Sequence, residues 1–326
     1  MEKPATTAVP SPDAPSARRV VVTPRLGGLL AWIALLALVF AAPLRDLFVL
    51  AWGSDLDSHI LLVPAISAWL LHLSWRDLPK SLSSSPLWAA AFAAAGIGTL
   101  FVPGADSGEV LAWRILSFLL WVVAGGFLFA GRSWMKAAAF PFGFLVFFVP
   151  MPDRVATGLE DVLTAGSVEV ADWFFRLSGT PVYREGPVLQ IPGISLEVAR
   201  ECSGIRSTLV LFITSVLASR LILRSPWRRA ALVAAVLPLG LLRNGLRILV
   251  IGLLCVHEGS HMIDSVIHRK GGPLFFAVSL LPLFFLAWWL RRGESPIQQP
   301  SPSGPDAGDP IRSIRGGRLP RPDHRL

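Results

Sequence analysis

The chain has 326 residues, of which 53% are hydrophobic and only 16% charged, whereas a soluble domain of that size carries about 25% charge. The formal charge is +8, but the basic residues sit in tails and short loops, where membrane topology uses them, and this argues against nucleic acid as a partner. The two cysteines, Cys202 and Cys255, are too few for a disulfide framework or a zinc ribbon.

Residues 1–25 are rich in Pro and Ser and read as a disordered tail, as do residues 293–326 with their Pro, Gly and Arg. The first apolar run begins near Gly27 and lacks a small-residue cleavage site, so no cleavable signal peptide is predicted. The stretch 26–292 between the tails reads as one membrane domain. It is predicted to be an all-α polytopic membrane protein, with about eight crossings at 27–51, 59–74, 86–103, 109–131, 134–150, 204–223, 230–256 and 272–290.

Arg18, Arg19 and Arg25 precede the first run, and Arg76 and Lys80 follow the second. Arg132 and Lys136, then Arg224, Arg228 and Arg229, then Arg291 and Arg292 occupy alternate later loops. All fall on one side if the chain alternates, which makes that side and both termini cytoplasmic. The opposite loops, GSDLD at 53–57 and PGADSGE at 103–109, carry no Lys or Arg. Trp75, Trp134, Trp227, Trp288 and Trp289 lie near span ends, where interfacial anchors are expected.

The segment 151–201 falls outside the membrane in this scheme. Its first part has helical spacing and carries Glu160, Asp161, Glu169 and Asp172. Four carboxylates argue for an amphipathic helix on the extracytoplasmic surface rather than a lipid-facing span. The second part alternates polar and apolar residues around Gly186-Pro187 and Pro192-Gly193, which predicts a short β-hairpin-like insert. It delivers the chain to Cys202, at the outer mouth of the sixth span.

Cys202 opens the apolar run ECSGIRSTLVLF. A thiol at a helix N-terminus feels the positive end of the dipole, and Arg206, four residues on, adds a cation that favours the thiolate. A buried filler and a Cys202–Cys255 disulfide are the plainer readings of the same residue. Arg243 and Arg247 stand one turn apart in LLRNGLRILV, inside an apolar run. Such charges need a partner, with Glu201 one candidate, or a wet cavity, and they are site candidates by default.

The run CVHEGSHMIDSVIH follows. HEGSH matches the spacing of a zinc protease, with His257 and His261 as ligands and Asp264 or His268 as a third. Gly259-Ser260 weakens a helix there, and a polar outer loop is the better reading. His268 stands apart, just before the last span and beside Arg269 and Lys270.

Together, DSHILLVP (57–64), FPFGFLVFFVPMP (140–152), ECSGIRS (201–207), RNGLRI (243–248) and the late His268 resemble the exosortase/archaeosortase family of membrane-embedded cysteine transpeptidases. The resemblance implies Cys202 as nucleophile, Arg247 as stabilising cation and His268 as general acid and base, with Arg206, Glu201 and Asn244 in support. Neither a cofactor nor a metal is implied. The implied substrates are secreted proteins carrying a C-terminal sorting signal, made of a short motif, a membrane helix and a basic end. The implied setting is the bacterial inner membrane, with the site near the extracytoplasmic face and the acceptor unspecified. Ile60 stands where the family carries Gly after His59, which leaves His59 outside the assignment, and Arg243 lies outside the pattern. A zinc intramembrane protease using HEGSH and a non-enzymatic transporter or scaffold are the competing expectations.

Overall fold

A proline marks the first break among the apolar runs. The computed structural model describes residues 24–54, 56–104, 106–198, 203–259, 261 and 272–294. Its first run is two helices, α1 (Pro24–Val39) and α2 (Ala41–Gly53), bent by 77°. Pro43 has no amide hydrogen, and its ring collides with the carbonyl four residues back, that of Val39, where α1 stops. The second run begins as a 3-10 turn, Ser58–Leu62, and becomes helical only as α3 (Val63–Leu73), with Pro64 in its first turn. α4 (Pro86–Leu100) has 15 residues, about 22 Å of helix against a hydrocarbon core of roughly 30 Å.

α5 (Ser107–Phe129) runs unbroken for 23 residues, and the Asp106 carboxylate caps it by accepting from the Glu109 amide at 2.7 Å. The fifth run arrives in pieces, α6 (Arg132–Ala137), α7 (Ala139–Phe144) and a 3-10 turn, Leu145–Phe148. The chain then turns by 88° into α8 (Asp153–Leu177). α9 (Ile205–Ile222), α10 (Pro226–Ala234), α11 (Val236–Glu258) and α12 (Gly272–Arg292) complete the helices.

Among the described residues, four helical elements are long and apolar enough to cross a membrane: α5, α9, α10 with α11, and α12. The count reaches six if each bent pair is one span. The protein is therefore a mostly helical, multi-pass membrane protein with four to six candidate spans. The expectation of eight included α3 and α4, which are too short to count by length.

The Gly186-Pro187 and Pro192-Gly193 pairs do turn the chain. β1 (Tyr183–Glu185), β2 (Val188–Ile191) and β3 (Ile194–Glu197) form an antiparallel sheet in that order, with Glu185 opposite Val188 and Ile191 opposite Ile194. Leu189, Ile191 and Leu196 point inward against Val168, Ala171 and Phe175 of α8 and Ile248 of α11. Arg184 of β1 pairs with Glu169 of α8, tying the sheet edge to the helix.

α8 packs closely along α11. Gly245 faces Val170 and Ala171, and Gly252, two turns on, faces Phe175 and Ile191. Absent side chains at these two positions allow the backbones to approach, as small residues do between membrane helices. At its start α8 is held by Arg154, whose Nε lies 3.1 Å from the buried Glu109 carboxylate of α5.

The basic loops gather at one end of the helices. Arg25 Nη1 donates to the Leu82 carbonyl at 2.6 Å and the Arg132 amide donates to Ser85 Oγ at 3.0 Å. Arg220 lies over the Phe140 ring, and Arg228 Nη1 donates to the Leu290 carbonyl at 2.7 Å. Of the five span-end tryptophans, Trp134 is buried in the core, while Trp75, Trp227, Trp288 and Trp289 are exposed.

Candidate active site

The site is built where the N-terminus of α9 meets the middle of α11. α9 has 18 residues and is about 27 Å long, so its first turn is at the end remote from Arg220 and the basic loops. Gly204 precedes α9 in the left-handed region, with φ +74°. A left-handed residue cannot continue a helix, so α9 begins at Ile205 and not at Cys202. Arg206, in the first turn of α9, is exposed. Cys202, Glu201 and His268 themselves lie outside the described residues, as does Asp264.

Two residues of α11 close on the turn ahead of α9. Arg243 is 7% exposed and Asn244 2%. Arg243 Nη2 donates to the Gly204 carbonyl at 3.2 Å and to Thr208 Oγ1 at 3.3 Å. A Cβ placed on Gly204 would come within 2.7 Å of Arg243 Nη2 and 3.2 Å of Asn244 Oδ1.

One turn along, Arg247 is half-buried and lines a cavity of about 30 Å³ together with Asn244 and Ile251 of α11 and Glu197 and Val198 at the end of β3. That volume accommodates about two waters. Val198 is anchored by its amide, which donates to the Pro187 carbonyl at 3.1 Å. The described chain on both sides of Cys202, Glu197-Val198 before it and Gly204 after it, thus borders the single turn Arg243–Arg247. Asn244 touches both sides.

Arg243 is the residue whose role sequence reasoning left open. Its signal was present, an ionisable group inside an apolar run, but its partners are a backbone carbonyl and a hydroxyl that no spacing rule reveals. Thr164 of α8 was missed outright. It is buried, and its hydroxyl has no hydrogen-bond partner among the described residues.

The histidines of HEGSH are separated by a helix end. α11 stops at Glu258, and Gly259 takes φ +111°, so His257 and His261 do not share a helical face as a zinc-protease pair requires. His257 Nδ1 donates to the Leu253 carbonyl at 2.8 Å. Among the described residues no three His, Cys, Asp or Glu side chains converge as metal ligands would. His59 Nδ1 is likewise engaged locally, with the Leu56 carbonyl at 2.9 Å. Cys255 is a buried free thiol.

The model of the transmembrane exosortase family matches residues 51–285, well over half of the chain and inclusive of every element of this site. No curated protein and no solved structure matches. The chain belongs to the transmembrane exosortases, membrane cysteine proteases and transpeptidases with a role in protein sorting.

Proposed function

We propose that this protein cleaves C-terminal sorting signals from secreted proteins at the extracytoplasmic face of the bacterial inner membrane, through a thioester on Cys202, and passes the acyl group to an acceptor. One observation carries the reading. The chain segments that flank Cys202 are both seated on the turn of α11 that bears Arg243, Asn244 and Arg247. Two peptide units separate Cys202 from Gly204, at most about 7.6 Å of Cα trace, which keeps the thiol in the neighbourhood of that turn.

The chemistry follows from those groups. The Cys202 thiolate attacks the scissile carbonyl carbon, and the oxygen becomes an oxyanion. The Arg247 guanidinium, half-buried beside a small cavity, is suited to stabilise that charge in a low-dielectric setting. As the C–N bond breaks, protonated His268 gives its proton to the departing amine and leaves a thioester. Neutral His268 then takes a proton from the incoming nucleophile, whose attack expels the thiolate. Arg206, Glu201 and Asn244 support the three. The position of the site at the end of α9 opposite the basic loops supports an extracytoplasmic location, because basic loops favour the cytoplasm.

The test is a pulse-chase of a co-expressed secreted protein of the same genome that ends in a motif, a membrane helix and a basic tail. Cys202→Ala is expected to abolish the shift from precursor to product. Unchanged processing in that variant would sink the reading.

A further inference from the structure

A second concavity lies beside the site, between α8 and the end of the sheet. Its volume is about 460 Å³, within the range of roughly 300–1,000 Å³ typical of ligand sites. Thr164, Ala165 and Val168 of α8 form one side, and the Pro187 turn with Glu197 and Val198 forms the other. Three properties identify what fits there.

The first is an unsatisfied group. Thr164 is 8% exposed, and its Oγ1 is buried without a hydrogen-bond partner among the described residues. Buried hydroxyls are nearly always paired, so a ligand that offers a donor or acceptor gains from meeting it. The second is charge. Carboxylates of Asp161 and Glu197 border the groove, while the one guanidinium among its described lining residues, Arg184, is held by Glu169. That balance repels a phosphate or an anionic lipid headgroup and tolerates a peptide backbone. The third is continuity. Glu197 and Val198 also wall the cavity that holds Arg247, and Cys202 follows Val198 by four residues, at most about 14 Å of extended chain.

We propose that this groove binds the substrate in extended form, holding the residues on the N-terminal side of the scissile bond. Thr164 meets the substrate backbone, and an apolar substrate side chain rests against Ala165 and Val168. The inference rests on the cysteine-transpeptidase reading above. It adds the place where the part of the substrate outside the membrane is recognised.

Two variants and one capture experiment test it, all in the full-length protein with the tailed secreted protein as probe. Ala165→Trp fills the groove from an exposed position and is expected to slow processing tenfold or more, whereas Val155→Trp, exposed near the start of the same helix and outside the groove, keeps the wild-type rate. A photo-crosslinking residue at Ala165, in the inactive Cys202→Ala background, is expected to capture the substrate upstream of its cleavage point. The same residue at Val210, exposed on α9, is expected to capture lipid alone. Where Ala165→Trp lowers the melting temperature by more than a few degrees, the capture decides. Wild-type processing by Ala165→Trp, or capture of lipid alone at Ala165, overturns the groove while leaving the transpeptidase reading intact. Processing by Cys202→Ala would instead defeat that reading, whatever is captured at Ala165.

Discussion

Arg243 Nη2 donates to the carbonyl of Gly204 across 3.2 Å, joining α11 to the turn that leads from Cys202 into α9. The same nitrogen reaches Thr208 Oγ1 in the first turn of α9. Arg243→Met retains the volume and removes both bonds. Its expected effect is a fall in the processing rate constant of tenfold or more with little change in substrate capture. A purely structural loss would leave the chemistry of the thiol alone. Arg243→Met is therefore also expected to shift the pH profile of Cys202 alkylation, read in a Cys255→Ser background. An unmoved profile would limit Arg243 to a structural part.

Gly204 is required for two reasons that act together. At φ +74° an L-residue costs about 1–2 kcal/mol, and its Cβ would also press on Arg243 Nη2. Asn tolerates left-handed backbone but still carries a Cβ. Gly204→Ala and Gly204→Asn are both expected to lose processing while still inserting in the membrane. If Gly204→Asn processes normally, only the backbone conformation matters and the contact with Arg243 does not.

Local rules made much of this fold legible, and long-range contacts set the limit. Gly186-Pro187 and Pro192-Gly193 announced turns because Gly adopts φ > 0 cheaply, and Gly186 and Gly193 do so, at φ +60° and +83°. The four carboxylates of 160–172 announced a helix that is not a simple span, and α8 runs unbroken through them. Hydropathy alone merged α1 with α2 and credited α3 with a full crossing, because apolar content registers neither where Pro43 interrupts the hydrogen-bond ladder nor that the α-helix starts only at Val63. The motif around Cys202 was readable, but the start of α9 was not, since it depends on the conformation of Gly204. The grip of Arg243 on Gly204 spans 39 positions and follows no periodicity.

Close packing of α8 on α11 carries its own prediction. A Cβ on Gly245 would sit 2.5 Å from Val170 Cγ1 and 2.9 Å from Val170 Cβ, nearer than real Cβ atoms come. Gly245→Ala is expected to destabilise the purified protein by about 1–3 kcal/mol, the usual cost of overpacking. Val170→Ala removes the opposing methyl groups and is expected to recover part of that loss. Thermal melts of the two single variants and the double variant in detergent measure the coupling. Additive losses would mean that the helices do not meet at this pair.

Glu294 gives a dependence on pH away from the site. Its carboxylate accepts from the Ser225 amide at 2.8 Å and from the Arg224 amide at 2.9 Å. The Ser225 bond first, then that of Arg224 and the nearby Arg228 and Arg224 cations, hold it below the usual carboxylate range. The folded state thus binds the Glu294 proton less readily than the unfolded chain does. Its contribution is present above the ordinary glutamate value of about 4.3 and is lost as pH falls through the depressed folded value. Glu294→Gln is expected to melt slightly below wild type at neutral pH, with the difference closing below about pH 4. A difference that persists unchanged at acid pH would place the effect in the hydrogen bonds and not in the charge.

The six histidines of the chain separate into different roles. α11 ends between His257 and His261, and His257 is engaged by the Leu253 carbonyl. A zinc mechanism needs both histidines, whereas a cysteine mechanism needs one imidazole to carry a proton between the leaving amine and the incoming nucleophile. His257→Ala and His261→Ala are accordingly expected to process the tailed substrate within about twofold of wild type. His268→Ala is expected to lose a hundredfold or more, in keeping with the 10²–10⁴ supplied by general acid–base catalysis. Added chelator should leave the wild-type rate unchanged. Full loss in His257→Ala or His261→Ala with stoichiometric zinc in the wild type would restore the metalloprotease. Normal processing by His268→Ala would move the proton-transfer role to another group.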